Sequence, residues 1–516
     1  MKNNIRVNVI VNLVRTLVLT LLSFITFPWV CRALEDSMLG AYSWAATFVS
    51  YFLIIAKIGI PNFAVRECVK VRDNKEALSS KVQAFFIMQG VATTISFLLM
   101  MSVVFIVPAL HDTSIVNMSS LIFILALNFL TGAFSFEWVF IALEKQFYMS
   151  ARSIAVLAIS AMLIIVMVTN PGDIYIYAFI SIGVTVLSSI ANCVYLRKFV
   201  SFKKTMPYNF KQYYKPLLII FALTLTLSLY NQTDTFILGF IDSSKAQVGA
   251  YSVGIKGIDI IIGIMSNLGT VFIPRSAYYY SLEDKQYFKN LSKYSLNICL
   301  FIVLPAIITM SVLAKPICSL ISGNSDLTGD LSKGYNDSYI VLIALSSMML
   351  TYSIGEIIYG QILLPMKKER YYLLSLLIGV VVNAILSVVL GKFVFKEHPA
   401  IGVAIGTAVT DLGILVFLLV SVKDWIKEAL FNKNTLKLVV GNLIILGVTL
   451  LLYFVLDAPL GSLSLTYQHI LKILIIVLVD VILYIGTLVF MKEDLVNSFV
   501  VRIRKQKLDQ YFGLVF

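Results

Sequence analysis

Long apolar runs alternate with short polar breaks over the whole chain. Fourteen runs are long enough to cross a ~30 Å bilayer core as helices rising 1.5 Å per residue. They span 8–30, 41–60, 82–109, 117–142, 151–168, 174–196, 216–241, 248–273, 293–321, 337–362, 371–391, 399–421, 437–456 and 469–491. The pattern predicts an all-α polytopic membrane protein with about 14 transmembrane helices. The first run follows seven residues and has no short apolar core ending at a small-residue cleavage site. It reads as a retained anchor rather than a signal peptide.

The basic residues test this count. With the N-terminus in the cytoplasm, and with Arg152, Lys293, Lys315 and Lys437 toward span ends counted with the adjoining loops, the inner segments carry 31 of the 41 Lys and Arg, the outer loops six, and four lie deeper within spans. Cytoplasmic loops retain Lys and Arg, and one missed or extra helix would scramble the alternation. Both termini are therefore expected on the cytoplasmic side.

Composition narrows the class. Of 516 residues, 59% are hydrophobic and 13% charged, with a mean hydropathy of +0.89. A soluble chain would be about 25% charged, so a soluble enzyme or nucleic-acid binder is excluded. The net charge of +13 belongs to the loops and implies no nucleic-acid partner. The outer loops are short, and neither side carries a large catalytic domain, so the chain is not expected to be an enzyme. Five scattered cysteines without CxxC spacing read as apolar fillers rather than disulfides or metal ligands. Nothing matches the phosphate-binding GxxxxGK[ST] loop. No cofactor is expected, and a driving force would come from an H+ or Na+ gradient, the membrane potential or downstream consumption of substrate.

An internal repeat divides the chain. Gly40-Ala41-Tyr42-Ser43 recurs 209 residues later as Gly249-Ala250-Tyr251-Ser252, each copy opening an apolar run. Six spans separate the copies, so both halves share one orientation, related by an axis along the membrane normal. The polar residues follow the same offset. Span two carries Ser43, Thr47, Ser50 and Lys57; span eight carries Ser252, Lys256, Asp259 and Ser266, with identical spacing. Each set makes one stripe on a helix face. Span one adds Asn8, Asn12, Arg15, Ser23 and Thr26, and span seven adds Thr224, Ser228, Asn231 and Thr235, beside Gln232 and Asp234. Polar groups facing lipid cost several kcal/mol. The stripes therefore meet other helices, as interhelical hydrogen bonds or around an aqueous cavity. The organisation expected is two pseudo-symmetric six-helix lobes, 1–210 and 211–425. The last segment, 426–516, would hold two peripheral helices, which could form a lipid-facing groove, and a basic tail.

Ionisable residues within spans are expensive and mark pathways. Arg15 lies about 10 Å into span one, deep for snorkelling. Its guanidinium suits an anion, phosphate especially, or a structural carboxylate. Lys57 either snorkels or joins it, and Lys256 and Asp259, at i and i+3, either neutralise each other or line the cavity. Arg15, Lys57, Lys256, Asn12 and Asn231 are the candidate substrate contacts. Glu137, Asp234, Asp259, Glu356 and Asp411 are the candidate ion-coupling or gating acids, each otherwise a satisfied interior acid. Lys472 reads as an interfacial anchor, and Asp480 has no evident partner.

The run from Gly40 through Gly59-Ile-Pro-Asn-Phe-Ala-Val-Arg-Glu67 resembles the second helix and following loop of bacterial polysaccharide repeat-unit flippases of the Wzx type, which handle O-antigen and capsule units. These belong to the multidrug/oligosaccharidyl-lipid/polysaccharide exporter superfamily. Further matches are Glu137-Trp138, Ala142-Leu-Glu144, Ala151-Arg-Ser153, Gln232-Thr-Asp234, Ile273-Pro-Arg275, Gln361-Ile-Leu-Leu-Pro365 and Gly402-Val-Ala-Ile-Gly406. The resemblance implies two six-helix lobes around a central cavity, in the bacterial cytoplasmic membrane. It implies alternating access that flips an undecaprenyl-diphosphate-linked oligosaccharide from inner to outer leaflet. Cations on helices one, two and eight would suit the diphosphate. The implied partners are the lipid-linked oligosaccharide, membrane lipids, a polysaccharide polymerase and chain-length machinery. An ion-coupled multidrug exporter of the same superfamily and, from another class, a membrane polysaccharide polymerase are the alternatives.

Overall fold

The computed structural model describes residues 5–107, 116–203, 210–282, 284–323, 335–430, 432–461 and 463–497, all of whose regular elements are helical. Twelve stretches are long and apolar enough to cross a membrane. One of them, Val14–Val69, carries the first two predicted runs in tandem. A separate helix, Ala246–Ser281, carries the eighth. Each predicted run thus falls on a helix or a broken series of helices. The chain is a multi-pass helical membrane protein. Large apolar side chains such as Leu21, Ile25, Ile106 and Phe490 are exposed on these helices. In water they would be aggregation patches; in a bilayer they are the ordinary solvent-facing surface. The chain forms two compact units, Met1–Gly249 and Ala250–Phe516.

In the first unit, α1 (Ile5–Lys57) runs through Pro28 and is interrupted at Glu35, whose φ of 61° is left-handed. That break separates the first two predicted spans. An Ile58-Gly59 turn, with Gly59 at φ 75°, leads into α2 (Ile60–Val69). Helix α3 (Lys75–Ile106) is capped by Asn74, whose side chain accepts from the N–H groups of Glu76 and Ala77. The fourth predicted span is three short pieces, α4 (Met118–Ala126), α5 (Asn128–Phe134) and α6 (Glu137–Ala142), with Phe136 left-handed at φ 42°. A helix broken inside hydrocarbon leaves carbonyls that need donors. Gln89 donates to the Gly132 carbonyl at 2.7 Å, and Asn192 to the Ser135 carbonyl. Helices α7 (Gln146–Met167), α8 (Ile174–Leu196) and α9 (Lys211–Ile241) complete the unit. α1 packs along α3, α7 and α9. Phe63, Phe85, Trp138 and Tyr213 form an edge-to-face aromatic core under α2, α3 and α6.

The second unit takes α10 (Ala246–Ser281) from Ala250 onward, then α11 (Lys285–Val312), α12 (Ala314–Ser322) and α13 (Ser338–Ile357). α14 (Arg370–Val388), α15 (Pro399–Ser421), α16 (Lys423–Leu430), α17 (Lys433–Val455), α18 (Asp457–Leu460) and α19 (Leu465–Phe490) follow. α13 and α14 each end in a π-helical turn, Ile358–Leu363 and Val389–Val394. Small residues let the backbones touch. A Cβ on Gly402 would lie 2.7 Å from the Leu390 carbonyl oxygen, and one on Gly254 would lie 2.6 Å from Val341.

Two sequence expectations change here. Lys472 is no interfacial anchor. It is 3% exposed, donates to Asp457 at 2.6 Å and stands over the Tyr453 ring at 3.5 Å. A charge this buried persists because a carboxylate and an aromatic face meet it. Asp480 does have partners. Thr309 of α11 donates to it at 2.7 Å and Thr449 of α17 at 2.9 Å.

Candidate functional site

Within the first unit, the ends of α1 and α2 and the inner faces of α5 to α8 enclose a cavity of about 630 Å³. Lys57, Asn62, Glu137, Arg152, Ser188 and Asn192 are among its lining residues. Arg152 is its anchor. It is 8% exposed and six residues into α7, and its guanidinium divides between two other helices. One arm donates to Glu137 of α6; the other donates to Asn192 of α8 at 2.5 Å. Asn192 passes the bond on by donating to the free carbonyl of Ser135 at the helix break. One planar fork thereby ties α6, α7 and α8 together and caps the broken helix. The Nε–H of Arg152 is buried and has no partner among the described residues. Thr185 donates to Asn128 at 2.7 Å on the same wall.

The charge balance is positive. Lys57 is exposed at the end of α1 and lines the cavity, and Arg152 lines it too, against the single carboxylate of Glu137. Arg15 is half-buried on α1, within electrostatic reach of both Glu137 and Arg152. The cavity therefore suits an anion held by cations and amide donors. Helices broken beside a polar cavity are where transporter folds place their binding sites.

The other predicted residues fall elsewhere. Asn12 has its helix placed but its side chain lies outside the described residues. Asn231 is exposed on α9, and Asp234 is buried on α9 near Tyr51. The α1 and α9 stripes do meet, since Ser50 donates to Gln232 and the Trp44 indole donates to the Phe236 carbonyl at 3.1 Å. In the second unit Lys256 and Asp259 pair with each other at 3.2 Å. Glu356, half-buried on α13, has no ion-pair partner among the described residues and faces Tyr352 and Tyr372. Asp411 is 2% exposed on α15, and neither carboxylate oxygen has a hydrogen-bond partner among the described residues. Asn383 donates to Thr407, one turn before Asp411, at 3.1 Å.

Sequence reasoning missed Arg152 and Asn192. Arg152 stands where a span begins and counts as one more basic loop residue; Asn192 is a lone amide in an apolar run. The Ala151-Arg-Ser153 match was the available signal.

The fold is similar to that of solved flippase and transporter structures. A lipid II flippase MurJ in an inward closed conformation matches 93% of this chain and 99% of its own, at TM-score 0.65 and 18% identity. An inward-facing multidrug resistance MATE family transporter of the MOP superfamily matches 81% of this chain and 99% of its own, at TM-score 0.60 and 15% identity. Residues 5–279 match the family described as polysaccharide biosynthesis protein, and the chain belongs to that family. It is 24% identical over 407 residues to the "Putative O-antigen transporter" of Escherichia coli (strain K12), covering 78% of this chain and 93% of that protein.

Proposed function

We propose that the protein flips undecaprenyl-diphosphate-linked oligosaccharide repeat units from the inner to the outer leaflet of the bacterial cytoplasmic membrane by alternating access, feeding surface polysaccharide assembly. The observation that carries this reading is the net-positive polar cavity at a broken helix of a multi-pass membrane protein. A diphosphate is anionic and takes guanidinium and ammonium donors, while a cavity of about 630 Å³ leaves space for sugar beside it. Family membership and the likeness to an O-antigen transporter support the cargo class. Arg15, Lys57 and Lys256, with Asn12 and Asn231, remain the proposed substrate contacts, and Arg152 joins them.

Coupling to an H+ or Na+ gradient is proposed through Asp411, with Glu137, Asp234, Asp259 and Glu356 as further gating acids. A carboxylate with both oxygens unmet in an apolar bundle is costly, and a proton or small cation relieves that cost. Both termini are proposed to lie in the cytoplasm, a reading that the bias of Lys and Arg toward alternate loops supports. The proposed protein partners are the polymerase and chain-length machinery that consume the flipped unit.

Deletion of the protein, followed by analysis of lipid-linked sugars, tests the reading. One intact repeat unit should accumulate on the inner leaflet. Arg15→Ala should insert normally yet lose surface polysaccharide; normal export in that variant would remove Arg15 from the substrate path.

A further inference from the structure

The polar cavity continues into an apolar one. Across the C-terminal half of α7 and the N-terminal half of α8 lies a furrow of about 400 Å³, walled by Val156, Ile159, Leu163, Phe179, Gly183 and Leu187 among others. Val184 borders both spaces. The one hydroxyl lining the furrow, on Ser160, is already spent on the Leu157 carbonyl at 2.8 Å. The two spaces follow one another along α7. Arg152 lies six residues into α7, or about 9 Å along the helix. The furrow then runs from Val156 to Met167, about 16 Å, roughly half of a ~30 Å hydrocarbon core. The cations of the polar cavity thus stand beside an apolar track about as long as one leaflet is thick.

We propose that this α7–α8 furrow holds the isoprenoid chain of the lipid-linked cargo while its diphosphate sits against Lys57 and Arg152. The inference rests on the flippase reading and adds a tail site to it. A membrane phospholipid fits less well. The adjoining cavity of about 630 Å³ would stand mostly empty over a small headgroup and is filled by an oligosaccharide. Inside a bilayer the chain exchanges lipid contacts for protein ones, so the furrow holds it by close van der Waals packing rather than by water exclusion, without any bond specific to its sugars.

Gly183 gives a clean test. A Cβ there meets no atom within 4 Å, so Gly183→Leu puts its side chain into the furrow rather than into protein, and leucine favours the helix. The purified protein in lipid nanodiscs is labelled with a benzophenone-tagged polyprenyl diphosphate. Labels should map to α7 and α8. Gly183→Leu should label about tenfold less, a shift that roughly 1.4 kcal/mol supplies, at an unchanged melting temperature. Phe179→Ala, which trims an exposed wall residue, should also label less. Gly447→Leu, equally unobstructed on α17, should label as the parent does. Labels on α17 and α19, or undiminished labelling in both furrow variants, would overturn the furrow and leave the cargo reading standing. Displacement by excess phosphatidylglycerol would make it a general phospholipid site and likewise overturn it. Absence of saturable labelling on any helix, together with no lipid-linked sugar accumulating in the deletion strain, would overturn the cargo reading itself.

Discussion

Gly40 and Gly249, the first residues of the two repeated tetrapeptides, lie against each other. A Cβ on Gly40 would come 2.8 Å from the Gly249 nitrogen and 1.8 Å from the Lys245 carbonyl oxygen. A Cβ on Gly249 would come 2.2 Å from the Asp36 carbonyl oxygen. The repeat is therefore a mutual close approach of backbones, and both glycines are required by space.

Gly40→Ala should destabilise the protein in detergent by about 1–3 kcal/mol, the usual cost of overpacking, because backbone must move to admit the methyl. Gly90→Ala, whose Cβ meets nothing within 4 Å, should be neutral or stabilising by up to ~1 kcal/mol. Thermal melting of the two variants side by side checks the pair; equal melting would mean the contact yields freely.

Arg152→Lys should not replace arginine. A lysine cannot donate in a planar fork to Glu137 and Asn192 at once. The variant should lose export and melt lower, whereas Lys57→Arg should retain export. Removing the Arg152–Glu137 pair alone is expected to cost about 1–2 kcal/mol, discounted because Glu137 is 43% exposed. Surface polysaccharide and melting curves read the two effects separately.

Asp411→Asn should keep the fold, since the change is isosteric and breaks no hydrogen bond among the described residues. Transport into proteoliposomes should lose its dependence on the imposed ion gradient. Unaltered gradient dependence would take Asp411 out of the coupling path.

Lys245 predicts a pH effect. Its ammonium donates to the Gly239 and Asp242 carbonyls and stands 4.9 Å from the Trp44 ring centre. Burial pulls its pKa below the ordinary lysine value, against the opposing pull of Asp242. In alkaline solution the unfolded chain then binds the proton more tightly than the folded one, so stability rises with pH until the ordinary lysine pKa of about 10.4 is passed. The melting temperature of the parent relative to Lys245→Gln should climb over that window; a flat difference would show the ammonium to be well solvated.

Asp480→Ala should loosen α17 and α19 against α11. It strands the hydroxyl of Thr309, and the cost should be about 1–3 kcal/mol. Faster amide exchange confined to those helices is the expected signature.

The linear sequence determined which segments form membrane-length helices and which of their faces carry polar stripes. Helical periodicity and lipid solvation act on each segment locally, and 3.6-residue spacing is readable along one strand of letters. It also exposed Gly40 and Gly249 as equivalent, through their common tetrapeptide. Tertiary structure alone decided who meets whom. Arg152, Glu137 and Asn192 come from three helices, and Asn192 stands 40 residues from Arg152. Nothing in a helix's own periodicity specifies which neighbour its polar face will find, or at what rotation. The same holds for Asp480, whose partner Thr309 is 171 residues away. The break at Phe136 is likewise a tertiary choice. Its run reads as one uninterrupted span, and it opens only because Gln89 and Asn192 of neighbouring helices satisfy the carbonyls near the break.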